Sequence, residues 1–214
     1  MWPDYAELHC LSVFSFQRGA STADELFERA RQLGYRALAI TDECSLAGIV
    51  RAFEASRRTG VPLIVGSELR IEDGTRLVVL VADDSGYADL CELITRARRR
   101  ASKGQYRVCV ADVQALGDGV RLLWLPPDRT DEQLMPPSWL QACAASRAWL
   151  VLEHHHSVGA TLRLQHLRQC AARLGWPLLA AGDVHMHGRS RRVLQDVLTA
   201  IRHHTPLSDA GFHL

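Results

Sequence analysis

The stretch Ala37-Leu38-Ala39-Ile40-Thr41-Asp42-Glu43 decides how this chain is read. Four apolar residues in a row, without the alternation of a half-exposed strand, suit a strand covered on both faces. Three polar residues follow at once. Upstream, Thr22 and Glu25 have the spacing of a capping box, in which each side chain satisfies an orphan backbone N–H at the start of a helix. Leu26, Phe27, Ala30 and Leu33 then recur at three- and four-residue intervals, and Gly34 ends the pattern. The repeating unit is thus a helix, a buried strand and a polar strand end.

The unit recurs along the chain. Helical patterns cover 46–58, 87–100, 139–146, 162–174 and 191–203, and strand patterns cover 5–10, 62–65, 77–81, 120–125, 149–153 and 178–181. Helices alternating with uninterrupted apolar strands predict an α/β fold with a mostly parallel sheet. Six or seven units in 214 residues suit a small closed barrel better than an open sheet. With no fixed-period repeat, low-complexity tract or linker, residues 1–214 read as one domain.

Composition narrows the function classes. The 25 basic and 24 acidic side chains leave a net charge of +1, so there is no global basic field for nucleic acid. No apolar run reaches the roughly 20 residues of a membrane span, and Met1-Trp2-Pro3-Asp4 does not open a secretory signal. The expected location is the cytoplasm. The six cysteines form no C-x-x-C pair and read as free thiols of a reducing compartment. Histidine is uneven, with nine of the ten after residue 153.

In parallel α/β folds chemistry collects at the carboxyl ends of strands. His9 ends the first strand here, Thr41-Asp42-Glu43 the second, Gly66-Ser67-Glu68 the third, and Asp183-Val184-His185 follows the last. His154, His155 and His156 follow the strand at 149–153. They read as loop residues, although 154 and 156 would share a side if extended. Carboxylates with imidazoles are the donor set of zinc or manganese. Asp183 and His185, one residue apart on an extended chain, would face the same side and reach one ion. Each residue alone has a simpler reading as a helix cap or a solvated side chain.

These stretches resemble a known family. Tyr5-Ala6-Glu7-Leu8-His9-Cys10-Leu11-Ser12, with Phe14-Ser15-Phe16 and Arg18-Gly19-Ala20-Ser21, is similar to the first motif of the PHP (polymerase and histidinol phosphatase) domain. Leu38 to Gly48 resembles the second motif, Ile64-Val65-Gly66-Ser67-Glu68 the third, and Ala181 to His187 the last. The form resembled is the N-terminal PHP domain of bacterial error-prone DNA polymerases of the C family. Gln195 to Arg202, with Gly211-Phe212, also looks like that group.

The departures matter as much. The family's active pattern begins His-x-His, whereas Leu11 stands at the second position and Gln17 or a neighbour replaces a further histidine. Thr-Asp-His becomes Thr-Asp-Glu, with Glu43 in the histidine's place. Arginines occupy 96, 98, 99 and 100, where a middle motif often has a histidine. The resemblance therefore implies a distorted (β/α)7 barrel of the PHP type, mainly structural, with a degenerate metal site. That site would comprise His9, Glu43, Glu68, Asp183 and His185 and hold one Zn or Mn ion or none. Its partners would be the polymerase core of the same parent chain, DNA through the parent, and other mutagenesis or replication factors, with no membrane. Arg18, Arg98, Arg99 and Arg189 are candidate phosphate or nucleic-acid contacts, against a default reading of solvated surface. The alternative function is a free-standing metal-dependent phosphoesterase using the same ligands.

Overall fold

The computed structural model describes residues 4–127, 134–144, 147–153 and 159–211. His154, His155 and His156 lie outside the described residues. The elements are β1 (Ala6–Glu7), α1 (Ala23–Gln32), β2 (Ala37–Ile40), α2 (Ile49–Thr59), β3 (Leu63–Arg70), β4 (Arg76–Val81), α3 (Asp84–Arg99), α4 (Val110–Gln114), β5 (Val120–Leu125), α5 (Ser138–Ala144), β6 (Ala148–Glu153), α6 (Ala160–Leu174), β7 (Leu178–Ala181) and α7 (Arg192–Arg202). The strands pair in chain order from β1 to β7. The α/β class expected from the sequence is borne out, and the capping box of Thr22 and Glu25 is present at α1.

Three local features depart from the sequence reading. The first strand is two residues long rather than six, because its later backbone donors turn to side chains: His9 N–H donates to Glu7 (2.9 Å) and Cys10 N–H to Thr41 (3.0 Å). The third strand runs on to Arg70, so Gly66-Ser67-Glu68 lies inside it and not at its end. It then enters a tight hairpin in which Asp73 accepts from Thr75 N–H (2.9 Å) and Gly74 takes a positive φ of 87°. As a result β4 is antiparallel to both its neighbours, while the other four strand pairs are parallel.

The chain divides into two compact units, Met1–Val65 with Asp183–Leu214, and Gly66–Gly182. In the first, Leu26, Phe27 and Ala30 of α1, Leu38 and Ile40 of β2, and Ala52 and Ala55 of α2 make the core. Cys10 bridges Val184 in parallel fashion, which brings the segment after β7 against the segment after β1. The loop between β1 and α1 closes tightly: a Cβ on Gly19 would lie 1.9 Å from the Ser12 carbonyl oxygen. In the second unit Leu69, Leu77, Val78, Leu90, Leu93, Leu122 and Leu150 are fully buried or nearly so. There Gly86 lets the first turn of α3 sit on the backbone before β5, since a Cβ would fall 1.8 Å from the Gly119 carbonyl oxygen.

Candidate metal centre

In the first unit His9, Asp183 and His185 meet. His9 is completely buried, and its backbone carbonyl accepts from Val184 N–H (2.9 Å) while Leu11 N–H donates to the Val184 carbonyl (2.8 Å). That short ladder sets His9 beside Asp183, with His9 Nδ1 3.6 Å from Asp183 Oδ1. His185 Nε2 lies 3.0 Å from the same oxygen. Asp183 has φ +45°, a left-handed conformation that aspartate tolerates better than most residues. A turn, not the alternation of an extended strand, therefore brings Asp183 and His185 together. Asp183 Oδ1 thus stands close to a nitrogen of each imidazole, and imidazole and carboxylate are donor types that zinc accepts.

The second motif does something else. Asp42 is buried and accepts from Ser12 N–H (2.8 Å), Ser12 Oγ (2.7 Å) and Ser15 Oγ (2.6 Å). Ser15 Oγ in turn accepts from Glu43 N–H (3.0 Å). The Glu43 carboxylate is held by Arg18 Nη1 at 2.6 Å, and the Arg18 side chain is only 11% exposed. Leu11 is fully buried. The loop from Ser12 to Arg18 is thus pinned by a buried carboxylate and an arginine.

In the second unit Glu68 is 1% exposed and accepts from Arg76 through Nη2 (3.1 Å) and Nε (3.3 Å). Arg76 went unnoticed in the sequence. The signal that marks it is the Asp73-Gly74 turn: the hairpin places Glu68 opposite Val78, so Arg76 is its diagonal neighbour two residues on. Glu153, at the end of β6 in register with Ala181, was equally unremarked.

The candidate phosphate contacts are dispersed. Arg18 faces Glu43 rather than open solvent. Arg98 lies over the Tyr106 ring at 5.2 Å and donates to the Gln105 carbonyl (3.4 Å). Arg99 is exposed at the end of α3, and Arg189 is exposed in the 3₁₀ turn before α7. Their neighbour Arg100 pairs with Asp112, which also accepts Cys109 N–H (2.9 Å) at the start of α4. Burial alone would raise the Asp112 carboxyl, but the hydrogen bonds from Arg100 and Cys109 outweigh it and hold it below the usual carboxylate value.

All six cysteines are free thiols. Burial, followed by the carboxylates of Glu7, Asp42 and Asp183, pushes the Cys10 thiol well above its ordinary range. Such a thiol is a poor nucleophile and a poor metal ligand. Among the described residues, no helix is long and apolar enough to cross a membrane.

Comparison with known proteins places these features. The model of the PHP domain matches residues 7–123, more than half of the chain. The chain is 57% identical, over 98% of its length, to an error-prone DNA polymerase of Pseudomonas paraeruginosa, and 56% identical over 99% to one of Xanthomonas axonopodis pv. citri. It spans about a fifth of the length of those relatives. Among solved structures it is similar to a proposed metal-dependent phosphoesterase of Bifidobacterium adolescentis (TM-score 0.64, 20% identity, 88% of this chain and 89% of that one). It is also similar to an amidohydrolase of Chromobacterium violaceum (TM-score 0.57, 18% identity, 86% and 88%). These likenesses establish the fold, and the matched motifs establish the kinship: this chain belongs to the PHP domain family.

Proposed function

We propose that the chain is the N-terminal PHP module of an error-prone, damage-tolerant DNA polymerase, that it acts as one domain and that its role is mainly structural. The high identity over nearly the whole chain, within relatives about five times as long, supports this reading. The module's partners would then be the polymerase core of the same parent chain, DNA through that parent, and other mutagenesis or replication factors, in the cytoplasm.

The observation that carries the structural part is the pairing of carboxylates with arginines. Glu43 and Glu68 stand at two family ligand positions, and each already has a guanidinium against it, Arg18 and Arg76. A guanidinium has no lone pair and does not deprotonate in a protein, so it neutralises the carboxylate without leaving chemistry behind. What remains is His9, Asp183 and His185, donors of the types that zinc and manganese accept. An ion there polarises a phosphoryl oxygen or acidifies a bound water. The residues that would hold it are His9 from its buried position, Asp183 from its left-handed turn, and His185 beside the same oxygen.

That triad favours a second reading, a metal-dependent phosphoesterase. The two separate in one assay. The purified chain is loaded with zinc or manganese and given a generic phosphodiester. The structural reading expects background turnover, unchanged in His9→Ala and Asp183→Ala. Turnover that both substitutions abolish would overturn it in favour of the hydrolase.

A further inference from the structure

We propose that the outward face of α7 is a docking surface for an apolar-faced helix of the parent polymerase chain that lies outside residues 1–214. The proposal rests on the module reading given above and names the surface through which the module meets its parent. A surface helix ordinarily turns its apolar stripe to the core and its polar residues to water. α7 does nearly the reverse. Gln195 and Thr199 are buried with Ala200, while Val193 (72% exposed), Leu194, Val197 and Ile201 (50% exposed) face solvent. At positions i, i+1, i+4 and i+8 these four fall within about 100° of the helix circumference, so they form one stripe and not scattered exposure. Helix propensity does not call for them either. Three of the four are β-branched, and exposed helix positions are better filled by alanine, glutamate or lysine.

Size, length and charge choose the occupant. Four part-exposed aliphatic side chains fall well short of the roughly 800 Å² that each partner buries in a standard interface between free proteins, so the stripe is too small to hold a second copy by itself. A segment of the same polypeptide needs far less area, because its covalent link keeps it at a high effective concentration. The relatives supply such a segment: each is about five times as long as this chain, so about four-fifths of it lies outside the match. The ends of the stripe specify its chemistry. Arg189 and Arg192 are exposed at one end and Arg202 at the other. Arg192 pairs with Asp196 of its own helix at 3.6 Å, which leaves the border of the stripe basic. The occupant that fits is a helix with apolar residues at three- and four-residue spacing and carboxylates toward both ends of the contact.

The test places Val193→Cys or Ile201→Cys in the full-length parent polymerase and in the 214-residue chain, and measures maleimide labelling at each new thiol by peptide mass spectrometry. Leu162→Cys, on the exposed side of α6, is the control. Both α7 thiols should label at least tenfold more slowly in the parent, while the control labels alike in the two proteins. Val197→Glu gives a second reading: it should leave the thermal midpoint of the 214-residue chain unchanged, lower that of the parent and speed α7 labelling there. Equal labelling in parent and chain, with Val197→Glu harmless to both, would overturn the docking surface and leave the module reading standing. Labelling of the 214-residue chain that slows as its own concentration rises would assign the stripe to a second copy, and slowing by phosphatidylglycerol vesicles would assign it to a membrane; either overturns the proposal. An intact mass of the native gene product equal to that of the 214-residue chain would overturn the module reading itself, and the docking surface with it.

Discussion

Glu68 and Asp183 are both carboxylates that the sequence marks as candidate metal ligands, yet their surroundings are opposite. Glu68 is held by the guanidinium of Arg76 across a hairpin, in the unit Gly66–Gly182. Asp183 faces the rings of His9 and His185, in the unit built from the two ends of the chain. Both carboxylates have hydrogen-bonding neighbours. Only the imidazoles can give a lone pair to an ion, and only the guanidinium is a permanent charge. Under the structural reading proposed above, an arginine beside a carboxylate supplies the positive charge that an ion would otherwise bring.

That contrast can be broken by substitution. The largest effect is expected at Arg76→Met, which takes the guanidinium away from a carboxylate that is 1% exposed. Removing the guanidinium from a buried carboxylate costs about 3 kcal/mol, and the double variant with Glu68→Gln should recover most of it in urea unfolding. Full stability of Arg76→Met would mean that the pair is ornamental. Next is Asp42→Asn, which removes the charge from three hydrogen bonds that pin Ser12 and Ser15, at about 2 kcal/mol in the same experiment.

Asp112→Asn should cost about 1 kcal/mol at neutral pH, as the loss of a helix-start acceptor does. Its sign with pH is fixed by the depressed carboxyl. The native contribution is complete above the ordinary carboxylate pKa of about 3.9 and fades as pH falls through the lower folded value. The gap between wild type and variant should therefore close below about pH 4, and a gap that widened there would contradict the pairing with Arg100. The smallest effect belongs to Arg18→Ala. Glu43 is 26% exposed and can turn to water, so the loss should stay below about 1 kcal/mol.

Much of this was legible in the sequence. The strands at 37–40, 120–125 and 178–181 stand where the sequence puts them, and the one at 37–40, mostly buried, writes itself as an unbroken hydrophobic run. Asp183 and His185 were also legible as neighbours, though for an inexact reason: they meet through a left-handed turn that no side-chain alternation encodes. The arginine partners were not legible. Arg18 and Glu43 are 25 residues apart and Arg76 reaches Glu68 only once the hairpin register is known, so tertiary placement decides both pairs.

The central claim is that the imidazole-faced carboxylate, and not the arginine-paired ones, keeps the family's affinity for a cation. Zinc titration of the purified chain by calorimetry tests it most directly, with Asp183→Asn, Glu68→Gln and Glu43→Gln beside the wild type. One ion per chain is predicted for the wild type, for Glu68→Gln and for Glu43→Gln, and none for Asp183→Asn. Binding that survives Asp183→Asn but is lost in Glu68→Gln or Glu43→Gln would contradict the account.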